Sequence, residues 1–81
     1  MSIQKMQSFP VTLGGIEDIR AFIAITSRFP YEMDLRGDRY VVDAKSVLGI
    51  LSLGANKQFI LDVYSEDCSE VITALNDFIV Y

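Results

Sequence analysis

Alternation of apolar and polar residues is the feature that most constrains how this chain folds. Residues 7–13, 31–36 and 58–64 alternate in this way, and residues 39–43 follow the second segment after a short Gly-Asp sequence. A strand with one apolar and one polar face is typical of an antiparallel sheet that is covered on one side only. We therefore expect four strands, the second and third of which form a hairpin.

The alternation also predicts which strand residues point inward. In the hairpin, Gly37-Asp38 is the predicted turn, and Tyr40 and Val42 are expected to face the core. Pro10 cannot donate a backbone hydrogen bond, so the first strand is expected at an edge of the sheet or at a bulge. The inward residues of the first and last strands are predicted to be Phe9, Val11, Leu13, Phe59, Leu61 and Val63.

A first helix is predicted from Ile16 to the residues before Pro30. Glu17 and Asp18 lie in its first turn, where the helix dipole favours carboxylates. Its apolar residues recur at helical spacing, which indicates one buried face. They are Ile16, Ile19, Phe22, Ile23, Thr26 and Phe29.

Two shorter helices follow. One is predicted from Ser46 to Leu53 and ends at Gly54. The other is predicted to open with a capping box formed by Asp67 and Glu70. Its buried residues are expected to be Val71, Leu75, Phe78 and Ile79.

These elements define the expected fold class. The order strand, helix, strand, strand, helix, strand, helix (βαββαβα) indicates an α+β open-faced sandwich, in which a four-stranded antiparallel sheet carries three helices on one face. Residues 1–81 fit a single domain, and an apolar content of 51% suffices for a core without disulfides.

Composition excludes several classes of function. A net charge of −4 argues against nucleic-acid binding, and no apolar run is long enough to span a membrane. With one cysteine and no histidine, the chain lacks the usual ligands for zinc or iron, and no metal or other cofactor is expected. Cys68 is interpreted as a buried apolar residue, because it has no histidine to act as its base. A lone cysteine suits the cytoplasm.

Residues 45–54 carry a family resemblance. The sequence Lys45-Ser46-Val47-Leu48-Gly49, followed by Leu51-Ser52-Leu53-Gly54, resembles the serine-site helix of HPr, the phosphocarrier of the sugar phosphotransferase system. The element order is similar to the HPr fold over the whole chain. The resemblance implies that Ser46 is a regulatory serine, phosphorylated by HPr kinase at the N-cap of a short helix. It also implies a partner-docking patch at Val47, Leu48 and Leu51, flanked by Lys45 and Arg20.

The histidine motif of HPr is absent. HPr has Gly-x-His-x-Arg-Pro at the start of its first helix, and the nearest match here is residues 15–20, with Glu17 in place of the histidine. Compared with typical HPr, the interval from the first strand to Ser46 is about three residues shorter, and the missing residues fall in the active-site loop. The resemblance therefore implies a divergent member without histidine phosphotransfer, comparable to the catabolite-repression HPr paralogue of bacilli. The partners of that paralogue are HPr kinase and a transcriptional regulator.

Each candidate residue also has a structural interpretation. Ser46 is a good helix N-cap whether or not it is phosphorylated. Val47, Leu48 and Leu51 fit a contact surface or ordinary core. Lys45 and Arg20 fit solvated charges, and Glu17 fits a first-turn carboxylate better than an acyl-phosphate carrier.

Three functions follow from these interpretations. The first is a regulatory, non-enzymatic HPr-like protein that acts through protein contacts and through phosphorylation of Ser46. The second is a nominal phosphocarrier. The third is a structural interaction module that has kept only the fold.

Overall fold

The protein has the predicted element order. The structure, a computed structural model, describes residues 5–54 and 57–81. Its elements are β1 (Gln7–Leu13), α1 (Ile16–Thr26), β2 (Met33–Arg36), β3 (Val41–Asp43), α2 (Val47–Leu53), β4 (Lys57–Val63) and α3 (Ser69–Ala74).

The four strands form one antiparallel sheet in the order β1-β4-β2-β3. Phe9 of β1 and Leu35 of β2 both pair with Leu61 of β4, so these three side chains lie in one row on the face that the helices cover. The α+β open-faced sandwich is confirmed. The main buried apolar residues of the sheet are Val11, Leu13, Met33, Leu35, Phe59, Leu61 and Val63, and those of the helices and their ends are Ile19, Phe22, Ile50, Leu53, Val71 and Leu75.

The predicted edge position of β1 is also confirmed, and residues 78–80 run along its outer side. Thr12 donates its backbone N–H to the Phe78 carbonyl at 2.9 Å, and Val80 donates to the Pro10 carbonyl at 2.8 Å. The backbone polar groups of Pro10 and Thr12 therefore face away from β4. The N–H that proline lacks falls on this outer side, so Pro10 does not interrupt the β1–β4 ladder.

The last helix is shorter than its sequence predicts. α3 ends at Ala74, so Phe78 and Ile79 are not part of a helical stripe. Both are nevertheless partly buried: the Phe78 ring meets the Phe22 ring edge-on at 5.9 Å, and Ile79 forms a bridge with Val11. Because this turn buries the same apolar side chains that a longer helix would bury, their spacing alone does not distinguish the two.

The predicted capping box is wrong. α3 begins at Ser69, and Cys68, not Asp67, occupies its N-cap. The Asp67 carboxylate accepts hydrogen bonds from the hydroxyl and the backbone N–H of Ser69, which lower the pKa of Asp67. Asp67 therefore closes a local turn before the helix.

The hairpin turn lies one residue later than predicted. Gly37 donates its backbone N–H to the Tyr40 carbonyl at 2.9 Å, which leaves Asp38 and Arg39 as the two turn residues. β3 starts at Val41, and Tyr40 is 69% exposed, so the prediction that Tyr40 points inward is wrong. Val42 is partly buried against the core, as expected.

The first helix ends at Thr26, before the predicted limit at Pro30. The Thr26 side chain is fully buried and donates its hydroxyl to the Ala44 carbonyl at 3.0 Å. Phe29 lies beyond the helix and stacks on Tyr31, with ring centroids 6.2 Å apart. Ile16, predicted to be buried, is the first residue of α1 and is 50% exposed.

A buried carboxylate lies on the face of the sheet that no helix covers. The Asp62 side chain is 5% exposed and accepts hydrogen bonds from Ser8 Oγ at 2.6 Å and from Arg36 Nε at 2.6 Å. A second guanidinium nitrogen donates to the other carboxylate oxygen at 3.1 Å. The hydrogen bond to Asp62 and its charge raise the pKa of Arg36. The three residues therefore join β1, β4 and β2 across the open face.

Replacing Arg36 by methionine is expected to lower the free energy of unfolding clearly more than the control substitution does, because the buried Asp62 carboxylate loses its ionic partner. Urea unfolding followed by circular dichroism measures the change. Lys5→Met is the matched control, because Lys5 lies 4.0 Å from Glu66 with both side chains more than 70% exposed. Its expected effect is below about 0.5 kcal/mol. Equal effects of the two substitutions would contradict the role given to Asp62.

Candidate functional site

Ser46 lies at the N-cap of α2. Its backbone is extended, with φ −107° and ψ 117°, and its Oγ accepts a hydrogen bond from the Gly49 backbone N–H at 3.2 Å. The Ser46 carbonyl accepts from the Ile50 N–H at 3.0 Å, which starts the helical ladder. At the other end, Gly54 has φ +92° and donates its N–H to the Leu51 carbonyl. Both predicted ends of this helix are confirmed, and the side chain of Ser46 is half-buried.

Gly49 allows α2 to approach the edge strand β3. A Cβ at this position would lie 3.0 Å from the Cβ of Val42, which is tighter than most side-chain contacts. The glycine therefore lets the helix approach the strand this closely without displacing Val42. The packing turns Ile50 and Leu53 into the core, where they are 0% and 8% exposed. The packing role of Gly49 cannot be predicted from the sequence, because the alternation in β3 does not show how close α2 lies to that strand.

The opposite side of α2 presents apolar side chains to solvent. Leu48 is 81% exposed, and Val47 and Leu51 are each 44% exposed. We call these three residues the α2 apolar surface. A seven-residue helix that turns Ile50 and Leu53 inward leaves its remaining large apolar side chains outside. A group of exposed apolar side chains is the usual form of a protein-contact surface.

Lys45 is not a freely solvated charge. Its Nζ donates to the Phe29 carbonyl at 2.6 Å, just beyond the end of α1, and its backbone N–H donates to the Asp43 carboxylate at 2.9 Å. Together with the bond from Thr26 to Ala44, this contact holds the segment before Ser46 against the end of α1. The sequence gives no signal for the Lys45 contact, because its acceptor is a backbone carbonyl.

Arg20 lies on the exposed side of α1 and forms no hydrogen bond or ion pair with any described residue. The structure therefore does not join Arg20 to Ser46, although α1 and α2 pack against each other. Glu17 is also exposed, in the first turn of α1. The neighbouring Asp18 carboxylate accepts a hydrogen bond from the Gly14 N–H at 2.7 Å. Two carboxylates thus occupy the start of α1, where the helix dipole favours negative charge.

Other chemistry has little support in the described part of the chain. Cys68 is 2% exposed, and burial, with a smaller contribution from Asp67, raises the pKa of its thiol. A raised pKa disfavours the thiolate that a nucleophile needs. Residues 5–54 and 57–81 contain no group of three or more acidic, cysteine or histidine side chains that could hold a metal ion. Within the same ranges, no helix has the length and apolarity to cross a bilayer.

Ser46→Ala is expected to lower the free energy of unfolding by about 1 kcal/mol, because the Gly49 N–H loses its acceptor. Ser46→Asp is expected to stay close to the wild type, because aspartate is an equally good N-cap. Thermal and urea unfolding measure both. Ser27→Ala is the control, since Ser27 is exposed and its hydroxyl bonds to no other described residue. If Ser46→Ala is as stable as Ser27→Ala, the cap does not contribute as described.

The sequence and the structure of this chain are similar to those of one protein family. A family model described as the PTS HPr component phosphorylation site matches residues 19–80. The crystal structure of HPr-C-His from Thermoanaerobacter tengcongensis is similar, with 27% identity, a TM-score of 0.70, and coverage of 90% of this chain and 88% of that chain. The phosphocarrier protein HPr from Bacillus anthracis shares the fold, with 23% identity, a TM-score of 0.74, and coverage of 93% and 98%.

A search of curated proteins found no match. The family model nevertheless covers most of the chain, from within α1 to beyond α3, and this range includes Ser46. The chain therefore belongs to the HPr family of the phosphotransferase system.

Proposed function

We propose that this chain is a regulatory HPr-family protein that has no histidine phosphocarrier activity and acts through protein contacts at the α2 apolar surface, under control of phosphorylation at Ser46. The observation that carries the proposal is that the sequence contains no histidine while the α2 apolar surface next to Ser46 is exposed. The family match supports a place in the phosphotransferase system.

The start of α1 argues against carrier activity. Without an imidazole, the chain lacks the nitrogen that carries the phosphoryl group in HPr. Glu17 and Asp18 are present instead, and Asp18 is engaged with the Gly14 N–H. Two carboxylates at this position repel an incoming phosphoryl group. The family match begins at residue 19, beyond this segment.

The environment of Ser46 favours a phosphate. α2 has no acidic residue in its first turn, and Ser46 precedes backbone N–H groups at the positive end of the helix. A phosphate on Oγ would add close to two negative charges beside the exposed α2 apolar surface. Phosphorylation of Ser46 is therefore suited to recognition by a partner protein that binds the phosphate and the α2 apolar surface together.

The partners proposed are proteins. By resemblance, these are HPr kinase and a transcriptional regulator, and the proposed location is the cytoplasm. The proposed function does not involve binding to a nucleic acid or a membrane, since a net charge of −4 disfavours binding to anionic surfaces. Of the two flanking cations predicted, Lys45 is held by the Phe29 carbonyl, which leaves Arg20 as the free one.

Incubation with HPr kinase and ATP tests the proposal. Intact-mass spectrometry is expected to show one added phosphoryl group on the wild type and on Ser52→Ala, and none on Ser46→Ala. Ser52 is the matched control because it is an exposed serine of the same helix. An unmodified wild type, in a reaction where an authentic HPr is phosphorylated, would contradict control at Ser46.

The same assay tests the α2 apolar surface. Leu48→Asn is expected to lower kcat/KM of the kinase for this protein about tenfold, since an exposed apolar anchor is lost. Its unfolding free energy should not change, because Leu48 is 81% exposed. Tyr81→Asn is the control: Tyr81 is 85% exposed but follows the segment beside β1, at the opposite edge of the sheet from β3. Equal rates for the two variants would count against docking through α2.

A further inference from the structure

A cavity of about 270 Å³ lies where the β2–β3 turn meets the end of α2. Its lining residues are Asp38, Arg39, Tyr40, Ser52, Leu53 and Lys57. Gly37 lets the turn approach the helix, because a Cβ at this position would lie 3.2 Å from Leu53 Cδ2. The cavity is separate from the Ser46 end of α2, since it is bordered by the last residues of the helix.

Two basic side chains border this cavity in a chain of net charge −4. Neither Arg39 nor Lys57 forms a hydrogen bond or an ion pair with another described residue. The Lys57 side chain lies over Gly54, where its Cε and Nζ are each 3.7 Å from the position that a Cβ would take. The ammonium lies beside the cavity, and its hydrogen-bond donors are not used by another described residue.

The remaining lining residues supply an aromatic ring and hydrogen-bond acceptors. Tyr40 is 69% exposed, and its ring borders the cavity outside the apolar core. The Asp38 carboxylate is an acceptor, and the Ser52 hydroxyl, which donates its proton to the Gly49 carbonyl at 2.6 Å, keeps its oxygen as a second acceptor. A ligand that matches these lining residues therefore carries an anionic group together with hydrogen-bond donors.

We propose that this cavity binds a small phosphate ester that carries hydroxyl groups. Arg39 and Lys57 bind the phosphate oxygens through charge-assisted hydrogen bonds. Hydroxyl groups of the ligand donate to Asp38 and Ser52, and its C–H surface packs on the ring of Tyr40. A volume of about 270 Å³ lies just below the usual range for ligand sites, so the ligand is a compact molecule.

Titration of ¹⁵N-labelled protein with glycerol 3-phosphate, followed by two-dimensional NMR, tests the site. We expect saturable shifts of the amides of residues 38–40 and 52–54 and of Lys57, with a millimolar dissociation constant. Lys57→Gln and Arg39→Gln should each weaken binding about tenfold, the effect of losing one ionic hydrogen bond. The two variants test the site from both sides, because Lys57 begins β4 whereas Arg39 lies in the β2–β3 turn.

Lys5→Gln is the matched control for Lys57→Gln. It removes the same charge near the start of β1, whereas Lys57 pairs with Leu13 at the other end of that strand. Binding weakened equally by both would overturn the proposal in favour of general charge attraction. Inorganic phosphate and glycerol are titrated in parallel at constant ionic strength, and each should bind more weakly than the ester. Absence of saturable shifts up to about 20 mM ester, or equal binding of phosphate alone, would also overturn it.

Discussion

The close contact between α2 and β3 determines where Ser46 and the α2 apolar surface lie. At Gly49 the helix backbone comes so near to β3 that a Cβ there would lie 3.0 Å from the Cβ of Val42, tighter than most side-chain contacts. A helix of seven residues is not stable by itself, so its position depends on this contact and on burial of Ile50 and Leu53. Once those two side chains face the core, the α2 apolar surface faces solvent. The candidate site is thus a consequence of the packing beneath it.

The end of α1 holds the segment that leads to Ser46. Thr26 bonds to the Ala44 carbonyl, and Lys45 bonds to the Phe29 carbonyl, so two side chains tie this segment to the helix. Ser46 is therefore already in its capped position before any modification. A phosphate on its hydroxyl would alter the charge of the surface more than its shape. This arrangement suits recognition of the modified surface by a partner protein, because phosphorylation then requires no refolding of the domain.

The sequence predicts most of the fold because its patterns are local. β1 is predicted to the residue, since alternation fixes a strand with one buried face, and α2 is predicted through Ser46 and Gly54. The β2–β3 turn is predicted one residue too early, because β3 is a short edge strand whose register the pattern barely specifies. The end of α3 is wrong because Phe78 packs on the core equally well from a turn.

The parts of the site that the sequence missed depend on contacts distant along the chain. The carbonyl that anchors Lys45 is sixteen positions away, and the burial of Asp62 depends on residues from two other strands. Alternation correctly assigns Asp62 to the polar face but says nothing of its partners. In the same way, the sequence leaves both core and contact surface open for Val47, Leu48 and Leu51, because their exposure depends on how α2 is oriented.

The most direct test of the account is incubation with phosphoenolpyruvate and enzyme I of the phosphotransferase system, with an authentic HPr as positive control. Intact-mass spectrometry at neutral pH detects a phosphoryl group even when it is acid-labile. The account predicts that HPr gains one phosphoryl group and this protein gains none, because it has no histidine. A phosphoryl group on this protein would contradict the account and would identify it as a carrier that uses another residue.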